Sequence, residues 1–157
     1  MKISTWLVAS IAVMFLVFQG MEAQAYEEFS TLDPKCSEGN GEACFKIAEK
    51  FRILDKDNKK ALTYYEKACD NDYKTGCNNA GAILLKMGRH SSKEWKKAGN
   101  HFKKACEQKF HLACYNLGQL KFKEGREKRA AKYWKQACDL GNRAGCVNHQ
   151  KFLNKQK

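Results

Sequence analysis

The chain has 157 residues, of which 43% are hydrophobic and 29% charged, with one proline and eight cysteines. This composition is typical of a helix-rich globular protein and leaves room for one compact unit. The net charge of +12 favours anionic partners, although a solvated, lysine-rich helix surface is the simpler explanation.

The first 25 residues have the pattern of a secretory signal peptide. Lys2 supplies a basic start, an apolar run extends from Trp6 to Phe18, and Ala23-Gln24-Ala25 fits a cleavage site. The run is shorter than the roughly 20 residues that a membrane span needs. We therefore expect cleavage after Ala25, no transmembrane segment afterwards, and a secreted or periplasmic domain at 26–157. Export and the scattered lysines argue against nucleic acid as a partner.

Behind this segment the sequence repeats. Similar phrases place a first cysteine at positions 36, 69, 106 and 138, and a second cysteine eight residues after each. A period of 32 to 37 residues indicates a stack of helical hairpins. The predicted repeats span about 33–55 (partial), 57–90, 93–125 and 126–157.

The first repeat is expected to act as an N-terminal cap. Pro34 lies two residues before Cys36, where a proline would break a helix, so this repeat should lack a full first helix. Its second helix should run from about Glu42 to Leu54. The side chains expected to be buried along it are Phe45, Ile47, Ala48 and Phe51.

The full repeats share a small, aromatic, small, cysteine pattern on one face of the first helix. The residues are Ala61, Tyr65, Ala68 and Cys69, then Ala98, Phe102, Ala105 and Cys106, then Ala130, Trp134, Ala137 and Cys138. In the second helices Gly81 and Gly118 stand at interior positions, where glycine costs about 1 kcal/mol against alanine. We predict close helix contact there. In the last repeat His149 and Gln150 replace Leu117 and Gly118, which favours a polar terminal face.

An even number of cysteines behind an export signal predicts disulfides. Because one local pairing can be made in every repeat, we predict the bonds Cys36–Cys44, Cys69–Cys77, Cys106–Cys114 and Cys138–Cys146. Their spacing contains neither the Cys-x-x-Cys of zinc sites nor a haem-attachment motif. We therefore expect no metal and no other cofactor.

The phrases YYEKACD, HFKKACE and YWKQACD, which end the first helices, resemble the Sel-one-like repeat, as do CNNAG and CYNLG at the second cysteines. With the paired cysteines and the signal, the chain is similar over about 33–153 to the Helicobacter cysteine-rich protein family. The resemblance implies an all-α, right-handed superhelical stack of disulfide-locked, tetratricopeptide-like hairpins. It also implies an exported protein that binds penicillin or slowly hydrolyses β-lactams. The Gly-x-Gly-Val loop common in that family is missing here.

Catalytic residues remain unassigned. Lys74-Thr75-Gly76 spells the K-T-G box of serine β-lactamases, but it lies in a repeat turn. The chain contains no Ser-x-x-Lys and no Ser-Asp-Asn, so whether it is an enzyme stays open.

The alternative is a non-catalytic, monomeric scaffold with a basic concave groove. Its ligand would be a peptide, a peptidoglycan fragment, a β-lactam or a partner protein. Two recurring sets are candidate binding residues: Asn79, Asn116 and Asn148 in the second helices, and Tyr64, His101 and Tyr133 in the first helices. The amides could instead hold neighbouring helices together, and the second set could pack between repeats.

Overall fold

The computed structural model describes residues 30–88 and 92–156, without the side chain of residue 92, and this part of the chain is all-α. The helices are α1 (30–37), α2 (Gly41–Ile53), α3 (Asn58–Asp70), α4 (Lys74–Met87), α5 (Ser92–Glu107), α6 (His111–Lys123), α7 (Glu127–Asp139) and α8 (Arg143–Lys155). They form four consecutive hairpins, and each hairpin packs on the next. The expected signal peptide lies outside the described residues. Within them, no helix combines the length and the apolar character needed to cross a membrane.

A disulfide closes each hairpin between the end of its first helix and the start of its second. The bonds are Cys36–Cys44, Cys69–Cys77, Cys106–Cys114 and Cys138–Cys146, which are the pairs predicted from the repeat. The Cα atoms of the pairs are 4.4 to 4.7 Å apart, a separation that a disulfide spans without backbone movement.

The turn inside each disulfide loop needs a left-handed backbone at the third residue after the first cysteine. The φ angle there is +93° at Gly39, +58° at Asp72, +57° at Lys109 and +88° at Gly141. Glycine adopts this conformation freely, whereas a residue with a side chain is strained by about 1 kcal/mol. Two of the four turns therefore carry an avoidable backbone strain.

At two of the three junctions the hairpins stack by placing an aromatic ring on a glycine of the preceding hairpin, whereas the first hairpin has Ala48 at this position. Phe102 covers Gly81, and Trp134 covers Gly118. A Cβ atom would come within 2.7 Å of the ring at Gly81 and within 2.5 Å at Gly118, closer than packed carbon atoms approach. The close helix contact predicted at both glycines is confirmed.

The last hairpin lacks such a seat. Gln150 occupies the position that corresponds to Gly81 and Gly118, and it is exposed. A further helix of the same kind cannot lay its aromatic ring there, as expected for a terminal repeat. The outer face is not wholly polar, because Val147 is 46% exposed and Leu153 41% exposed.

The expectation that Pro34 breaks the first helix is wrong within the described residues, and whether this repeat has a first helix of full length lies outside them. Residues 30–37 are helical, and the Pro34 carbonyl accepts a hydrogen bond from the Glu38 nitrogen at 2.9 Å. Proline lacks its own N–H and crowds only the turn before it, so the residues after it stay helical. In the following helix, Ile47 and Ala48 are buried, while Phe45 and Phe51 are half-buried.

Candidate functional site

The K-T-G sequence forms part of the hairpin packing. Lys74–Gly76 is the first turn of α4, and a Cβ at Gly76 would lie 2.6 Å from the Cβ of Ala68 in α3. The glycine is therefore required for α3 and α4 to approach each other. The Lys74 ammonium lies 6.0 Å from the centre of the Phe110 ring. This box has a structural explanation that involves no substrate.

The recurring asparagines connect neighbouring hairpins. The side-chain amide nitrogen of Asn79 donates to Glu49 at 3.3 Å, that of Asn116 donates to Asn78 at 2.9 Å, and that of Asn148 donates to Gln119 at 3.2 Å. In each case the acceptor belongs to the second helix of the preceding hairpin. These amides are engaged within the protein, as buried polar groups generally are.

Asn79 belongs to a polar cluster between the first two hairpins. Glu49 accepts hydrogen bonds from the Tyr65 hydroxyl, from Asn79 and from Arg52, whose Nη2 lies 2.6 Å from Oε2. Burial raises the pKa of Glu49, but the hydrogen bonds from Arg52, Tyr65 and Asn79 and the Arg52 charge outweigh it, so the net pKa is lowered. Burial and the bond to Glu49 raise the pKa of Tyr65 to about 12. The cluster links the first two hairpins, and its polar side chains form hydrogen bonds with one another.

Two members of the second candidate set also bridge hairpins. The Tyr64 hydroxyl donates to Asp33 at 3.3 Å, so it reaches back to the first hairpin. His101 lies with Nε2 3.4 Å from Glu66 Oε1 and Nδ1 3.5 Å from Cys69 Sγ, both in the second hairpin. The third member, Tyr133, lines a cleft.

The cleft at Tyr133 lies between α5, α6, the connection from α6 to α7 and the middle of α7, and has a volume of about 560 Å³. We call it the Trp95 cleft. The residues that line it are Trp95, Lys96, Gly99, Asn100, Lys103, Leu117, Lys121, Glu124, Arg126 and Tyr133. Its size lies within the range of small-ligand sites.

Three departures from the repeat pattern converge in this cleft. Lys121 occupies the position of Phe51, Leu84 and Leu153 in the other hairpins. Gly99 occupies the position of Leu62 and Ala131. Trp95 occupies the position of Asn58 and Glu127. Gly99 leaves the floor open, because a Cβ there would meet only Leu120 Cδ2 at 3.3 Å and Lys121 Nζ at 3.9 Å. The cleft therefore lies where the third hairpin departs from the repeat pattern.

The charge in the cleft is mostly positive. Lys121 Nζ lies 3.0 Å from Glu124 Oε2, and Arg126 Nη1 lies 3.1 Å from the same oxygen. The Lys121 and Glu124 side chains are only 17% and 20% exposed. With Lys96 and Lys103 on the α5 wall, four cationic side chains face one carboxylate. The arrangement suits an anionic ligand.

A second, more apolar cavity lies between α6, α7 and α8 and has a volume of about 340 Å³. Phe122, Trp134 and Phe152 form its aromatic walls, and the amides of Asn148 and Gln119 lie at its edge. Asn148 is therefore both a bridge between hairpins and a cavity residue. Within the described ranges, no group of histidine, cysteine and acidic side chains is arranged to hold a metal ion.

Sequence reasoning missed Trp95, Gly99 and Lys121 because it searched for residues that recur. In a repeat array the recurring residues make the contacts between units. The signal that could have identified the cleft is a residue that breaks the repeat: Lys121 occupies a position that is apolar in the other three hairpins.

Solved structures of other proteins share this architecture. The chain is similar to a Sel1 repeat protein from Oxalobacter formigenes, with 18% identity and a TM-score of 0.63 over 78% of this chain and 96% of that chain. It is similar to c5321, a protective antigen present in uropathogenic Escherichia coli strains that displays an SLR fold, with 24% identity and a TM-score of 0.66 over 78% of this chain and 28% of that chain.

The chain is also similar to the Helicobacter pylori cysteine rich protein B, with 24% identity and a TM-score of 0.56 over 78% of this chain and 92% of that chain. No protein-family model and no curated protein matches the sequence. The likeness to cysteine rich protein B agrees with the resemblance seen in the sequence. The chain therefore has the all-α Sel1-like repeat fold, with a disulfide in every hairpin.

Proposed function

We propose that this protein is a non-catalytic binding module of an oxidising, extracytoplasmic compartment and that its ligand occupies the Trp95 cleft. The observation that carries the proposal is the convergence of Trp95, Gly99 and Lys121, three departures from the repeat, on one cavity. A lysine at a largely buried position that is apolar in the other hairpins has to lose its water. The ion pair with Glu124 does not dependably offset that cost, so stacking alone does not explain this lysine. A role in binding explains why all three departures are found together.

The composition of the cleft supports binding over hydrolysis. Among the described residues that line it there is no serine, threonine, cysteine or histidine, the side chains that most often act as activated nucleophiles or as their bases. Hydrolysis of β-lactams remains an implication of the family resemblance alone.

The proposed compartment rests on the four disulfides. Such bonds persist in oxidising environments and are rare in the cytosol. The expected signal peptide in residues 1–25 agrees with export to the periplasm or beyond the cell.

The test is a comparison of two variants that add the same side chain. Gly99→Leu fills the floor of the cleft with the residue that the second hairpin already has at this position, Leu62. Ala82→Leu adds the same bulk at an exposed position of α4 outside the cleft. Peptides selected from a displayed random library on the oxidised wild-type protein are then titrated into all three proteins by fluorescence anisotropy.

We expect saturable binding to the wild type and to Ala82→Leu, and at least tenfold weaker binding to Gly99→Leu. Equal binding to all three proteins, or no saturable binding to the wild type, would refute the proposal. A chromogenic cephalosporin is tested in parallel. Hydrolysis that Gly99→Leu abolishes and Lys74→Ala leaves intact would replace the proposal with an enzyme that acts in the same cleft.

A further inference from the structure

We infer that the Trp95 cleft, if it is the binding site proposed above, takes an acidic peptide segment, and that Glu124 holds the place of one of the peptide's carboxylates. The inference names the ligand chemistry of that site. It rests on the charges that surround the cavity and on how they are already paired.

Glu124 shows how the cleft holds a carboxylate. Lys121 Nζ lies 3.2 Å from Oε1 and 3.0 Å from Oε2, and Arg126 Nη1 approaches Oε2 at 3.1 Å. Two cations from the same wall thus converge on one carboxylate at the distances of charge-assisted hydrogen bonds. A carboxylate of a ligand would find the same two donors if the Glu124 side chain withdrew.

The opposite wall carries charges that Glu124 does not neutralise. Lys96 has no ion pair among the described contacts, and Lys103 pairs only with the exposed Glu107, at 3.6 Å. A ligand with a single negative charge would leave part of this wall without a partner. The complementary ligand carries several negative charges along its length.

The spacing of that wall fits a peptide. Lys96, Asn100 and Lys103 lie on one face of α5, since they are separated by four and three residues. The two lysines are two helical turns apart, about 10.5 Å at 1.5 Å per residue. A peptide in the polyproline II conformation has three residues per turn and rises about 3.1 Å per residue, so its side chains three residues apart share one face and lie about 9.3 Å apart. Acidic side chains three residues apart would therefore meet Lys96 and Lys103, with the Asn100 amide between them to bond the peptide backbone.

The aromatic residues of the cleft complete the match. Trp95 and Tyr133 present large apolar surfaces with a polar edge beside the lysines, a combination typical of residues that anchor peptides. A ligand that carries one aromatic side chain among its acids would use both features. The preferred occupant is an acidic peptide with an aromatic residue.

The experiment uses a fluorescein-labelled ten-residue peptide with glutamates three residues apart and one tyrosine, and a second peptide with glutamine at those positions. Both are titrated into the oxidised wild-type protein and into Glu124→Gln, Lys96→Gln/Lys103→Gln and Gly99→Leu. Lys86→Gln, which removes an exposed charge from α4 outside the cleft, is the control. A single-stranded DNA of equal charge is the third probe.

We expect the glutamate peptide to bind the wild type at least tenfold more tightly than the glutamine peptide does. Binding should tighten about fivefold in Glu124→Gln, because the negative charge that lines the cleft and repels the ligand is gone, and weaken about tenfold in the double lysine variant. Lys86→Gln should bind as the wild type does. Gly99→Leu should bind neither peptide.

Other outcomes separate the two proposals. Equal affinity for the two peptides, or no tightening in Glu124→Gln, overturns the acidic ligand; if Gly99→Leu still blocks library peptides, the binding module stands. DNA that binds as tightly as the glutamate peptide and responds to the same variants overturns selectivity for a peptide.

Discussion

The seat of Trp134 on Gly118 allows a quantitative test of the stacking. In Gly118→Ala, the new Cβ would lie 2.5 Å from Trp134 Cδ1, 2.6 Å from Nε1 and 3.2 Å from the Ala130 carbonyl oxygen. To relieve this clash, the Trp134 ring and the backbone at Ala130 would have to move. Overpacking of this kind typically lowers the free energy of unfolding by 1 to 3 kcal/mol, and we take about 2 kcal/mol here. The gain in helix propensity from glycine to alanine is about 1 kcal/mol. We expect a net loss of about 1 kcal/mol.

Gly99→Ala is the matched control, because it is the same substitution in the interior of a neighbouring helix. Its Cβ would meet only one methyl group, Leu120 Cδ2 at 3.3 Å, which has to shift by a few tenths of an ångström, and Lys121 Nζ at 3.9 Å. The propensity gain of about 1 kcal/mol should therefore survive. The two variants should differ by about 2 kcal/mol with opposite signs, which is roughly 8 °C in Tm for a domain of this size.

The assay is thermal and urea unfolding of the oxidised proteins, followed by circular dichroism at 222 nm. A second substitution adds a check: the loss caused by Gly118→Ala should shrink in a Trp134→Leu background, because the aromatic ring that meets the new Cβ is gone. If Gly118→Ala is stabilised as much as Gly99→Ala, the seat is not tightly packed and the stacking argument fails.

Three further predictions concern the remaining contacts. The stability advantage of the wild type over Glu49→Gln should be full near neutral pH and shrink as the pH falls through the lowered pKa of Glu49, since the folded state favours the carboxylate; an advantage that grows in acid contradicts this. Lys109→Gly should raise the free energy of unfolding by about 0.5 kcal/mol through relief of its positive φ, and a loss in urea titration would refute the strain. Replacing Cys69 and Cys77 together by alanine should cost about 2.5 kcal/mol, the entropy of a loop of about nine residues; unchanged unfolding would show that the bond contributes nothing.

The repeat made the fold predictable from the sequence. Ala61, Tyr65 and Ala68 and their counterparts mark the buried face of each first helix, and Gly81 and Gly118 mark the seats, because helical periodicity maps sequence spacing directly onto a face. The regular cysteine interval likewise gave the four disulfides. The prediction that Pro34 breaks the first helix failed because a proline carbonyl can still accept a helical hydrogen bond. The residues after the proline therefore remain helical.

The candidate site needed the tertiary structure. The recurring Asn79, Asn116 and Asn148 could be recognised in the sequence, but not the neighbours whose oxygens they bond. A cavity is the space that remains unfilled when helices pack against each other. Only the packing of α5, α6 and α7 brings Gly99, Trp95 and Lys121 into one cleft. Local periodicity determines which face of a helix is buried, whereas the partner of each polar group and the space between helices are set by distances between segments far apart in the chain.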